Sequence, residues 1–109
     1  MLERALLVHI RLKDSAYRDS WPAEEAAQEL RELVRSSGVS IQEEARVERG
    51  RPTPDTLIGK GKVEELHARC HTLKPQVVIF GHDLNFPQQR NLEDRLEVKV
   101  IDRTQLILA

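Results

Sequence analysis

Residues 5–10 read Ala5-Leu6-Leu7-Val8-His9-Ile10, an apolar run broken only by His9 and flanked by charged residues. Six residues suit a strand better than a core helix, and a strand without polar alternation is one covered on both faces. Strands of that kind sit in parallel sheets whose crossover helices cover them, so this stretch points to an α/β fold with the run at the centre of its sheet.

Working outward, Ala23, Ala26, Ala27, Leu30 and Val34 recur at the three-and-four spacing of a helical stripe, with Pro22 suited to the first turn and Gly38 to a left-handed stop. Val39, Ile41, Ala45 and Val47 then fall on alternate positions, as in a strand wet on one side; Glu43 interrupts the apolar row, which favours the sheet edge. Gly50 to Pro54 holds one glycine and two prolines and reads as a loop. After Gly59-Lys60-Gly61-Lys62, residues Val63, Leu66, Cys70 and Leu73 keep helical spacing up to a stop at Pro75. Gln76 to Phe80 is a short β-branched run, Asn85 with Gln88 resembles a capping box opening a helix to about Glu97, and Val98 to Ile101 supplies a last strand. The sequence therefore predicts one α/β domain over residues 1–109, with about four mainly parallel strands, helices on both faces, and strand order second, first, third, fourth.

Hydrophobic residues at 39% and charged residues at 32% can fill a core and coat a surface, which argues against disorder. A net charge of -1, from 17 basic and 18 acidic residues, provides no global field toward nucleic acid or membrane, so any RNA contact must come from a local patch. Cys70 is the only cysteine, which excludes an internal disulfide and agrees with a cytoplasmic location. The start, MLERALLVHIRLKD, has neither a signal peptide's long apolar region nor its small-residue cleavage site, and no run is long enough to span a membrane. The last residues, Leu106-Ile107-Leu108-Ala109, are apolar where termini are ordinarily polar, which suggests a longer protein continuing past Ala109.

Three ordered blocks carry a family resemblance: Ile58-Gly59-Lys60-Gly61-Lys62 with Glu65-Leu66, then Arg90-Asn91-Leu92-Glu93, then Val100-Ile101-Asp102-Arg103-Thr104 with Leu106-Ile107-Leu108. Together with weaker matches at Leu7-Val8-His9 and from Leu33 to Val39, they resemble the N-terminal domain of the HflX family of ribosome-associated GTPases across nearly the whole chain. Where that family usually reads Leu-Ser-Pro-Ala-Gln, this chain has Leu84-Asn85-Phe86-Pro87-Gln88, which keeps a capping residue and moves the proline by one. The resemblance implies a cytoplasmic GTP-binding protein that contacts the large ribosomal subunit and its rRNA and helps split or rescue ribosomes. It also implies a GTPase domain of the same protein as an intramolecular partner, and GTP with magnesium as cofactors of that domain alone. No Gly-x-x-x-x-Gly-Lys-Ser/Thr stretch occurs here, so no catalytic residue, no enzymatic activity and no cofactor are expected of this chain itself.

Individual residues allow competing readings. Gly59, Lys60, Gly61 and Lys62 open a helix, where free N–H groups and the helix dipole favour an anion, so they are candidates for contact with phosphate or RNA. Equally, the glycines serve a tight turn and the lysines are merely solvated. Arg49 and Arg51, with Arg46, lie just upstream and extend the candidate patch, although Glu43, Glu44 and Glu48 are interleaved. Arg90, Asn91, Asp102 and Arg103 match the family's blocks and read as structural, Asp102 pairing with an arginine to fix the last strand against a helix. His67, Cys70 and His71 have a ligand-like spacing but no second cluster, so no metal is expected and Cys70 reads as core. Trp21 and Tyr17 suit packing before the first helix more than base stacking. Two rivals to a ribosome-docking module stay open: an independent ATP-binding domain at the Gly59–Lys62 turn, and a stand-alone interaction module forming a weak homodimer through its apolar C-terminus.

Overall fold

The computed structural model describes residues 3–12, 23–50 and 53–108. Four strands, β1 (Arg4–Leu12), β2 (Ser40–Arg49), β3 (Val77–Phe80) and β4 (Lys99–Asp102), alternate with α1 (Ala23–Ser36), α2 (Lys60–Leu73), α3 (Phe86–Leu96) and α4 (Arg103–Leu108). Every neighbouring pair of strands is parallel and the order is β2-β1-β3-β4, the arrangement read from the sequence. Ala5, Leu6, Leu7 and Val8 have no exposed surface, because β1 lies between β2 and β3 and under helices on both sides. Leu6, Val8, Val78 and Phe80 pack with Leu66 of α2 and Leu92 of α3. On the opposite face Ala5, Leu7, Val77 and Ile79 pack with Leu30 and Val34 of α1 and Leu106 of α4. Each such Val, Leu, Ile or Phe side chain contributes roughly 1.5–3 kcal/mol by leaving water, which makes this central layer the main source of stability.

The sequence reading fails at β2. Its odd-numbered apolar residues do not share a face: Ile41 packs toward α1, whereas Ala45 and Val47 pack toward α2. Pairing with β1 jumps from Ala5↔Ile41 to Leu6↔Glu43, a β-bulge in which Gln42 is the extra residue. Gln42 and Glu43 consequently both reach toward α2: Gln42 Nε2 donates to the Leu73 carbonyl at 3.2 Å, and Arg69 Nε donates to Glu43 Oε2 at 2.8 Å. The interruption at Glu43 thus marks a change of parity as well as an edge strand.

Helix ends follow the local chemistry more closely. Gly38, with φ 79°, lies just beyond α1, and α2 closes on left-handed Lys74, whose N–H donates to the Cys70 carbonyl at 2.8 Å. Asn85 and Gln88 form the expected reciprocal cap at the start of α3, so the displaced proline leaves the helix start intact. The last strand begins at Lys99 rather than Val98. The apolar C-terminal run forms part of α4, and Leu106 is spent on the chain's own core, with Ile107 exposed beyond it. Pro22, Trp21 and Tyr17 lie outside the described residues.

Because of the bulge, Glu44 faces α1. Its Oε1 accepts from His9 Nε2 at 2.6 Å and from Arg31 Nε at 2.7 Å, while Glu24 binds Arg31 and Arg46 nearby. Partial burial raises the Glu44 pKa, but the hydrogen bonds from His9 and Arg31 outweigh it, leaving the carboxyl below its ordinary value. A depressed folded-state pKa adds stability that is present above the unfolded value and is lost as pH falls through the folded one. Glu44→Gln is therefore expected to cost about 1 kcal/mol near neutral pH. Urea unfolding at a series of pH values should show the gap from wild type closing as pH drops through the carboxylate range; a constant gap would disprove the ionic contribution.

Candidate phosphate-contacting interface

In a parallel sheet all strands end at one edge, and ligand sites of such folds gather there, at loops and helix starts. The reversal of strand order falls between β1 and β3, whose carboxyl ends lead to residues 13–22, outside the described residues, and to Gly81, His82 and Asp83. The Gly59–Lys62 turn lies at the same edge, since it follows β2 and opens α2. A small hairpin holds it there: Thr53 and Leu57 exchange both backbone hydrogen bonds at 3.0 Å. Thr53 Oγ1 accepts from the Gly59 N–H at 3.2 Å, and the Thr53 carbonyl accepts from Gln88 Nε2 at 3.1 Å. Thr53 thereby ties the starts of α2 and α3 together. Leu57 takes a left-handed φ of 71°, which its full burial in the core holds in place.

Gly59 is the N-cap of α2, buried, at φ 83° and ψ 160°, and its carbonyl accepts from the Val63 N–H at 3.1 Å. It has no side chain to cap the helix, and the first turn carries no acidic residue, so the N–H groups of Lys60, Gly61 and Lys62 begin the helix without a side-chain acceptor. Lys60 and Gly61 are exposed, and a Cβ built on Gly61 meets nothing within 4 Å. Lys62 Nζ sits 3.0 Å from Glu65 Oε2 in an exposed pair, worth little and easily released. The two glycines therefore differ in kind: Gly59 is required by the backbone, whereas Gly61 is required by nothing in the fold.

The other candidates separate. Arg49 ends β2 at this edge, and Arg51 lies outside the described residues. Arg46 points to the α1 face, 3.2 Å from Glu24. Arg90 is exposed on α3, while Asn91 Nδ2 donates to the Asp55 carbonyl at 3.0 Å and so braces the hairpin. Asp102 is buried, but among the described residues no arginine meets it: Oδ2 accepts from the Leu84 N–H at 2.8 Å and Oδ1 from the Gln105 N–H at 2.9 Å. Backbone donors take the place of the expected guanidinium, because Arg103 turns to Glu29 of α1. His67 meets Glu97 at 3.1 Å, and burial of Cys70 raises its thiol pKa, which keeps it neutral. The sequence reading missed the Thr53 tie and the His9–Glu44–Arg31 cluster, both of which depend on long-range contacts.

A family model described as GTP-binding GTPase N-terminal matches residues 24–109. The chain is 36% identical over 106 residues to the GTPase HflX of Lacrimispora saccharolytica and 39% identical over 106 residues to that of Escherichia coli. Each alignment covers 97% of this chain and 24% of the relative, so the chain spans about a quarter of those proteins. Among solved structures, a GTP-binding protein from Sulfolobus solfataricus in complex with GDP superposes with a TM-score of 0.67 at 17% identity, over 98% of this chain and 29% of that one. That likeness reports the fold, and the sequence matches report the lineage. The chain belongs to the GTP-binding GTPase N-terminal family, as the N-terminal domain of an HflX-type protein.

Proposed function

We propose that this domain docks an HflX-type GTP-binding protein onto the large ribosomal subunit in the cytoplasm, contacting rRNA phosphates and positioning the GTPase domain of the same protein. GTP and magnesium would belong to that GTPase domain, the part that acts when ribosomes are split or rescued. The observation that carries the reading is the start of α2. Three uncapped backbone N–H groups and the exposed Lys60 stand at the carboxyl edge, without a carboxylate in the first turn. A helix start of this composition attracts anions, and a neutral chain needs such a local feature to touch RNA. Arg49, Arg51 and Arg90 are the further cations proposed to follow the backbone of the RNA.

The test is co-sedimentation of the 109-residue chain with purified large subunits across a salt series. Pelleting is expected to weaken as salt rises, and Lys60→Ala with Lys62→Ala should lower the slope of log affinity against log salt by about 1–2 while leaving circular dichroism unchanged. Equal binding by the double variant would remove this site, and no pelleting at low salt would remove the docking role. Titration with ATP and GTP addresses the rival reading of the same N–H groups as a nucleotide site.

A further inference from the structure

The two edges of the sheet are treated differently. At β4, side chains occupy the outer backbone: Glu93 Oε2 accepts from the Val100 N–H at 3.0 Å, Gln89 Nε2 donates to the Val100 carbonyl at 2.8 Å, and Gln105 Oε1 accepts from the Asp102 N–H at 3.1 Å. Capping of this sort closes an edge to further pairing. Among the described residues β2 is the longest strand, with ten residues, and pairs only with β1. Among the described residues, no side chain bonds to the backbone of residues 40–47. Its bulge lies near its amino end, so pairing with β1 runs without a register break from Glu43 to Arg49. Neither proline nor lysine interrupts it.

The charges along this edge favour its own kind. On the α1 face Glu44, Arg46 and Glu48 alternate in sign. An antiparallel pair of β2 strands related by a two-fold axis at Ala45 sets Glu44 opposite Arg46 of the second copy, and does so twice. An axis at Arg46 would instead oppose two arginines and set Glu44 against Glu48. Glu44 Oε1 takes both intramolecular hydrogen bonds, which leaves Oε2 for an arginine from outside. Arg46 is more than half exposed and, among the described residues, pairs with the exposed Glu24 alone.

We propose that β2 is a self-pairing edge, through which two copies of this chain form an antiparallel, two-fold dimer centred on Ala45. Sedimentation velocity over about 1 μM to about 1 mM chain should give a reversible monomer–dimer equilibrium. Arg46→Glu should weaken it by about tenfold, because two opposite-charge cross-strand pairs become like-charge pairs. Among the described residues it loses one exposed ion pair, so circular dichroism should match wild type. As a second measurement, Ala45→Cys should be joined to its counterpart by a short thiol-directed cross-linker, since Cβ atoms directly opposite lie about 4.5–5.5 Å apart. Wild type, whose Cys70 is buried, should stay unlinked. A monomer at about 1 mM, or a dimer indifferent to Arg46→Glu and unlinked at Ala45→Cys, overturns the proposal.

Discussion

Asp102→Ala is expected to lower the stability of the domain by about 3 kcal/mol, the combined loss of two charge-assisted hydrogen bonds at a buried residue. Asp102 is 4% exposed and its carboxylate accepts from the Leu84 and Gln105 N–H groups, while Gln105 Oε1 accepts from the N–H of Asp102 itself. One side chain thus caps α4 and anchors the loop from β3 into α3. Alanine leaves both N–H groups facing a space that a methyl cannot satisfy. Asp102→Asn keeps one acceptor oxygen but presents an amide NH2 to the other donor, so its loss should fall between those of wild type and alanine. Urea unfolding measures both; a loss below about 1 kcal/mol for alanine would mean that water replaces the carboxylate and that the tie is dispensable. Against a total stability typical of small domains, about 5–15 kcal/mol, the expected loss is large.

Asp102 also illustrates what is legible in this sequence. Its block marks it as structural, but among the described residues the backbone N–H groups of Leu84 and Gln105, and not an arginine, meet its carboxylate. Glu29 lies 74 residues away in the chain and takes Arg103 instead. Patterns carried within a few residues survived well. The apolar run Ala5–Ile10, broken only by His9, marks an interior strand, and the Asn85–Gln88 spacing marks a true capping box. At β2 local periodicity misled: a period of two is a statement about faces only while pairing stays in register, and one extra residue at Gln42 reverses it. The nearest sign was the acidic pair Glu43-Glu44, whose members serve opposite faces, Glu43 with Arg69 and Glu44 with Arg31. α4 escaped notice because six residues carry too little periodicity to distinguish a helix from an apolar tail.

The same limit applies to the candidate interface, where the sequence displays two glycines and two lysines and cannot rank them. Their separation comes from backbone geometry and leads to a paired expectation of opposite sign. Gly59→Ala should destabilise by about 1–3 kcal/mol, because a φ of 83° with ψ 160° is open almost only to glycine, and burial of this residue leaves little room to relax. Gly61→Ala should instead stabilise by about 0.5 kcal/mol, since the position is helical, the new methyl meets nothing within 4 Å, and alanine holds a helix better than glycine. Under the proposed function, the bare Cα of Gly61 leaves room for an rRNA phosphate to approach its N–H. Co-sedimentation with large ribosomal subunits decides the point: a Gly61→Ala chain that unfolds later than wild type yet binds more weakly assigns this glycine to the ligand. A chain that is more stable and binds equally well returns the α2 start to the role of a tight turn, and rRNA contact must then be sought among Arg49, Arg51 and Arg90.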